Sequence, residues 1–187
     1  CSMEDGFKLS ADRLAAALTP DTRWVMLNAP SNPSGAIYSA AEIAALAAVL
    51  RQHPQVMILA DEIYEHLNFI PFSRFADAAP DLRHRILTVN GASKAWSMTG
   101  WRIGWGIGPA ALIAAMGAVQ GQITSGASSI SQAAALAALT GDRAVIDTRR
   151  KALLARRDRV VAGLNAIPGF DRPSPVGAFY VFPRFTG

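Results

Sequence analysis

The chain has 187 residues, 51% hydrophobic and 17% charged, with a formal net charge of +4. That composition excludes a disordered polypeptide, and the length supports one sizeable core, since a chain of ~150 residues buries roughly 70% of its unfolded surface. No apolar run reaches the roughly 20 residues that span a bilayer, so no membrane partner is expected. Residues 1–5 lack a basic segment followed by an apolar core, so no secretion signal is expected. Cys1 is the only cysteine, which excludes an internal disulfide and a cysteine-based zinc site; no metal ligands are singled out and a cytoplasmic setting is the default.

The first strand is predicted at residues 23–27, ending in Asn28-Ala29-Pro30-Ser31-Asn32-Pro33-Ser34-Gly35, a loop because its prolines and glycine can continue neither strand nor helix. Ser39-Ala40-Ala41-Glu42 spells a capping box that opens a helix to about His53, where Pro54 stops it. The continuous apolar run 56–60 predicts a strand buried on both faces. A second such strand, 85–89, leads into Asn90 and Lys94, and a fourth at 102–107 ends at Gly108-Pro109. Alanine-rich helices follow, broken at Thr124-Ser125-Gly126 and at Thr140-Gly141-Asp142, before a long basic helix over 142–165. In that helix Arg149/Arg156 and Arg150/Arg157 repeat two turns apart, opposite an apolar stripe of Ile146, Leu153, Val160 and Leu164. The charges read as a solvated face; no aromatic residues interleave with them, so no nucleic-acid partner is expected. Pro168-Gly169 and Pro173-Ser174-Pro175 punctuate the end, and 177–182 reads as one more strand. Strands alternating with helices predict an α/β sheet with helical cover, with a second unit starting near residue 145.

Lys94 is one of three lysines, against fifteen arginines. A chain that nearly always uses guanidinium has kept an amine here, and only an amine forms a Schiff base with an aldehyde. Arg102 follows between Gly100 and Gly104, which would let backbone approach a ligand. Asn32, Asp61 and Lys94 each fall just beyond a predicted strand, where open α/β sheets bind ligands. Taken singly, Lys94 also reads as a snorkelling surface lysine, Asp61 as a helix-capping carboxylate and Tyr64 as a packing residue.

Together these segments resemble the fold-type I, class I/II aminotransferases that use pyridoxal phosphate. Asn28 to Gly35 is similar to the family's Asn-Pro-(Thr/Ser)-Gly loop, and Asp61-Glu62-Ile63-Tyr64 to its Asp-x-x-Tyr element. Ser93-Lys94 through Gly100-Trp101-Arg102-Ile103-Gly104 is similar to the Schiff-base lysine segment, and Pro175 to Tyr180 to the entry of the small domain. Among subfamilies the bacterial aspartate and prephenate aminotransferases are the nearest match. The resemblance implies the central part of the mostly parallel large-domain sheet over residues 1–145. It also implies a connecting helix and the beginning of an α+β small domain over 146–187.

The resemblance implies roles as well. Lys94 would hold the cofactor as a Schiff base and then move a proton at the substrate Cα, which requires its pKa to be lowered. Asp61 would pair with the pyridine nitrogen; two unit charges ~4 Å apart at an effective dielectric of about 20 interact by roughly 4 kcal/mol, about three pK units. Asn32 and Tyr64 would donate to the ring's phenolic oxygen, with a cis Asn32–Pro33 bond. Arg102 and Ser93 would bind the phosphate. Three residues before the lysine, where the family often has serine, stands Gly91. The implied substrates are an L-amino acid, aspartate or a related donor, and a 2-oxo acid, in a homodimer. Upstream strands and a downstream substrate-binding arginine of the family find no match, so the chain reads as a fragment. A β-eliminating lyase and a catalytically silent binding module are the alternatives.

Overall fold

The computed structural model describes residues 2–171 and 174–187; Cys1 and Pro173, both named above, lie outside the described residues. Helix α1 (Ala11–Ala17), which the pattern analysis does not anticipate, starts at Ser10, whose Oγ accepts the Arg13 N–H at 3.3 Å. Strand β1 (Trp24–Asn28) leads through the proline loop to α2 (Ala40–Arg51). The capping box is present there: the Ser39 Oγ accepts the Glu42 N–H, and the Glu42 carboxylate accepts the Ser39 N–H at 2.7 Å.

Strand β2 (Met57–Asp61) follows, then the short helix α3 (Phe75–Ala78), a 3-10 turn (Pro80–Arg85), β3 (Ile86–Gly91) and the single-turn α4 (Ala92–Ala95). After a 3-10 turn at Thr99–Trp101 comes β4 (Gly104–Ile107). The sheet order is β1-β2-β3-β4, with the first three strands parallel and β4 antiparallel to β3. The fourth strand starts later than expected because Arg102 adopts a left-handed conformation (φ 50°) that extended backbone cannot include.

One core fills one face of the sheet. Ile43, Leu46, Ala47 and Leu50 of α2 cluster with Val25, Leu27, Ile58, Ala60 and Ile86, closed by Phe75 and Leu82. The expectation that residues 56–60 are buried on both faces is corrected: Val56, Ile58 and Ala60 are buried, whereas Met57 and Leu59 are half-buried. The α2 side is covered, while the other face is open enough to leave Met26 71% exposed.

Helices α5 (Ala110–Ile123), α6 (Ser129–Thr140) and α7 (Ala144–Asn165) break where the sequence places the breaks. The apolar stripe of α7 differs from the expected one: Val161 is buried and Val160 exposed, because the packed face runs through Ile146, Leu153, Arg157, Val161 and Leu164. Arg157 therefore leaves the solvated face; its guanidinium lies 4.9 Å from the Phe69 ring centroid and donates to the Pro175 carbonyl at 3.0 Å. The predicted strand at 177–182 is also corrected. Only Gly177 pairs, in an isolated bridge to Asn68, because Ala178 turns the chain with φ 56°. The terminal pairing is instead β5 (Phe170–Asp171) with β6 (Arg184–Phe185), antiparallel. Among the described residues no helix is long and apolar enough to cross a membrane.

Candidate active site

The parallel register brings the loop after β1 beside the turn after β2. Asn28 pairs with Asp61, and Asp61 with Val89, so β1 and β2 end at one level and β3 runs two residues further, to Gly91. Asn28 ties two of the ends together: its Oδ1 accepts the Asn32 N–H at 2.7 Å and its Nδ2 donates to the Asp61 carbonyl at 3.3 Å. Both Ala29–Pro30 and Asn32–Pro33 are cis. The loop closes at Gly35, whose positive φ of 70° suits glycine.

Asp61 is half-buried, and its Oδ1 accepts the Ile63 N–H at 3.2 Å; no cation pairs with it among the described residues. The turn it opens carries Tyr64, 4% exposed. The Tyr64 hydroxyl is hydrogen-bonded to that of Tyr180. Burial raises the Tyr64 pKa first, followed by the Tyr180 hydroxyl and the charge of Asp61, while the Asn32 side chain acts in the opposite direction. Asn32 and Asp61 thus both lie within reach of the Tyr64 hydroxyl.

Lys94 sits in α4, just past β3. Its Nζ is 5.8 Å from the Tyr64 ring centroid and 5.9 Å from that of Phe179. Among the described residues it has no hydrogen bond or carboxylate partner. The backbone beneath is held from α7: Ile146 packs with Ala92, Ala95 and Trp96, and Arg149 Nη1 donates to the Ala95 carbonyl at 3.3 Å. Arg149, expected in solvent, thus helps anchor the site's framework. Gly91 has no room for a side chain; a Cβ there would lie 3.0 Å from the Ile103 carbonyl oxygen and 3.1 Å from Gly104 Cα.

Ser93 and Arg102 are joined to Lys94's turn through Thr99. The Thr99 Oγ1 donates to the Ser93 carbonyl at 3.3 Å, and Arg102 Nη1 donates to the Thr99 carbonyl at 3.1 Å. Among the described residues Arg102 has no carboxylate partner, and neither residue is hydrogen-bonded to Tyr64 or Asp61. Cavities of about 740 and 580 Å³ lie elsewhere, around Glu65, His66 and Arg74.

Sequence reasoning singled out Asn32, Asp61, Tyr64 and Lys94, and the fold gathers these four. It did not single out Phe179 and Tyr180 as part of the cluster. No local pattern marks a pairing between residues 116 positions apart.

An α/β sheet with a free amine, carboxylate and guanidinium at its strand ends belongs to a recognisable class. The sequence model of the family "Aminotransferase class I and II" matches residues 1–187, and the chain belongs to that family. It is 52% identical over 187 residues to the aspartate/prephenate aminotransferase of Cereibacter sphaeroides, covering 99% of this chain and 47% of that protein. The crystal structure of the aspartate aminotransferase from Rhizobium meliloti superposes with a TM-score of 0.98 at 52% identity, over 100% of this chain and 47% of that one. Thermus thermophilus aspartate aminotransferase, solved with maleate, gives a TM-score of 0.90 at 41% identity over 97% and 47%. The chain spans about half the length of the relatives it matches. Members of this family depend on pyridoxal phosphate, and the fold is the fold-type I architecture.

Proposed function

We propose that this chain carries the pyridoxal-phosphate-binding part of an aminotransferase that moves an amino group from an L-amino acid to a 2-oxo acid. The observation that carries this is the convergence of Lys94, Asp61, Tyr64 and Asn32 at one corner, with the amine unpaired. The free groups fit the cofactor. An unpaired amine suits an aldehyde, an unpaired carboxylate suits a basic ring nitrogen, and an arginine without a carboxylate partner suits a phosphate.

When bound, the cofactor supplies the carbonyl for amine exchange and a ring that takes up the electron pair left at the substrate Cα. Lys94 is the residue that bonds to it and whose amine, once free, carries the proton to and from that Cα. The rings of Tyr64 and Phe179, with centroids 5.8 and 5.9 Å from that amine, confine it on one side. The Asp61 carboxylate keeps a proton on the ring nitrogen by charge attraction. Asn32 and Tyr64 donate to the phenolic oxygen, and Ser93 and Arg102 hold the phosphate. Gly91, packed against β4, leaves the phosphate without a contact from that position.

Aspartate or a related dicarboxylate is the proposed donor, in line with what the relatives are named for, and 2-oxoglutarate is the proposed acceptor. The reading includes a division into large and small domains at residues 145/146, in the first turn of α7, and a cytoplasmic homodimer. Exposed Val119, Ile123, Ile130 and Leu136 on α5 and α6 supply apolar surface for association.

Incubation with pyridoxal phosphate, borohydride reduction and peptide mapping by mass spectrometry test the proposal. One phosphopyridoxyl group on Lys94, lost in Lys94→Ala, is expected. Labelling spread over Lys8 and Lys151, or none, overturns it.

A further inference from the structure

We propose that Tyr180 is a positioning residue whose hydroxyl donates to the Tyr64 oxygen and so leaves the Tyr64 proton aimed into the site. This rests on the reading that Lys94 carries pyridoxal phosphate with Tyr64 beside its phenolic oxygen.

A phenol has one proton to give and can accept at its oxygen. Buried Tyr64 has Asn32 and Asp61 on the site side and one hydroxyl partner behind it, and that partner biases which way its proton turns. That partner is Tyr180. When Tyr180 donates, Tyr64 accepts from behind and donates forward, and the two bonds polarise each other. When Tyr180 is absent, the Tyr64 rotor is free and its donation weaker.

The packing fixes this arrangement. The Tyr64 ring meets Tyr180 edge-on (5.6 Å, 81°) and Phe179 edge-on (5.5 Å, 82°), while Phe179 and Tyr180 lie tilted at 4.8 Å. The segment bearing Tyr180 is anchored independently of the hydroxyl pair. Ala178 N donates to the Leu67 carbonyl at 2.7 Å, and Phe69 N donates to the Val176 carbonyl at 2.8 Å. Gly177 is pressed against the proline loop, where an added Cβ would stand 2.8 Å from both Ile37 Cδ1 and Pro30 Cβ. The left-handed Ala178 then turns the chain so that Phe179 and Tyr180 meet Tyr64. Residues 175–180 therefore touch the Asn32 loop at one end and the Tyr64 hydroxyl at the other. They act as a strap that sets both groups from the far end of the chain.

The test uses the native polypeptide that carries these residues, loaded with pyridoxal phosphate. The pH-dependent absorbance of the cofactor bound to Lys94 is titrated in wild type, Tyr64→Phe, Tyr180→Phe and the double variant. Donation to the phenolic oxygen lowers the titration midpoint, so Tyr64→Phe raises it. Tyr180→Phe is expected to raise it by roughly half a pH unit, and to add nothing in the Tyr64→Phe background. Tyr180→Leu, which removes the ring too, has to shift the midpoint at least as far. A midpoint unchanged in Tyr180→Phe overturns the proposal, and so does an equal shift in both backgrounds. Absence of any such band in the wild type overturns the functional reading beneath it, and this proposal with it.

Discussion

Asn28 and Asp61 face each other across parallel β1 and β2, and the Asn28 amide spans from the Asp61 carbonyl to the Asn32 N–H. One side chain therefore sets the distance between two proposed cofactor ligands. Asn28→Ala is expected to release the Asn32 loop while leaving the sheet intact, since Ala29 N still donates to the Asp61 carbonyl at 3.1 Å. A cost of about 1 kcal/mol in stability follows from the lost hydrogen bonds. The same energy taken from cofactor binding is roughly a fivefold weaker affinity. Urea unfolding and equilibrium dialysis against pyridoxal phosphate measure the two effects. Unchanged affinity in Asn28→Ala would show that packing around Pro30 alone holds the loop.

Gly35 makes the opposite kind of link, by shape. A Cβ at this position would stand 2.5 Å from the Gly177 carbonyl oxygen and 2.5 Å from Pro175 Cβ, on backbone with a φ of 70°. Neither neighbour can give way without moving the strap that carries Tyr180. Gly35→Ala is expected to cost at least about 2 kcal/mol, from the left-handed conformation and the overlap together. Its effect on cofactor absorbance should follow that of Tyr180→Phe in direction. A thermal melt and the pH titration test the two parts; a melt identical to wild type would rule out the interlock.

The two links also mark what a sequence can and cannot tell. Strand ends, the capping box at Ser39 and the turn bearing Lys94 are local patterns, and each is present in the structure. Asn32, Asp61, Tyr64 and Lys94 meet because parallel register places successive strand ends side by side, which alternating strands and helices already imply. Tyr180 was not legible as a partner of Tyr64, because that contact needs the path of α7 and the turn at Ala178. An alanine gives no warning of a left-handed conformation, so the apolar run 177–182 read as a strand. On α7 the packed face keeps Ile146, Leu153 and Leu164 but takes Val161 in place of Val160 and adds Arg157. Arg157 packs inward over Phe69, a placement hydrophobicity patterning counts as solvent.

Glu62, the residue after Asp61, points to a pH dependence of stability. It is 3% exposed; its Oε1 accepts the Phe75 N–H at 2.9 Å, and its Oε2 has no partner among the described residues. Burial raises its pKa from 4.5 to about 7, with the Phe75 N–H opposing and the nearby Glu65 charge adding to the rise. The folded state thus holds this proton more tightly than the unfolded chain. The associated stability is complete below about pH 4.5 and is lost as pH rises through about 7, on the order of 3 kcal/mol. Glu62→Gln removes the ionisation but keeps the acceptor for Phe75. Denaturation midpoints at pH 5 and pH 8 should therefore differ less in Glu62→Gln than in wild type, with the variant more stable at the higher pH. Parallel pH profiles would place the charge elsewhere.

Among the described residues Arg85 is the one buried guanidinium, 5% exposed at the base of the sheet, and it acts on carbonyls. Its Nη1 donates to His53 and Val56, both at 2.8 Å, and its Nη2 to Leu50 at 2.6 Å. These acceptors include the end of α2 and the residue that leads into β2, so one side chain closes the helix-to-strand crossover. The cation also lies at the negative end of the α2 dipole, which offsets part of its burial. Burial nonetheless lowers its pKa from the ordinary arginine value. Arg85→Met would take a donor from three carbonyls, of which Leu50 and His53 keep a backbone N–H, and is expected to cost roughly 3 kcal/mol. Arg85→Lys keeps the charge but cannot fork to acceptors on two sides, so it should fall between Met and wild type. Chemical denaturation of both variants separates the contributions. A lysine variant as stable as wild type would mean that charge at the helix end, and not the forked geometry, holds the crossover.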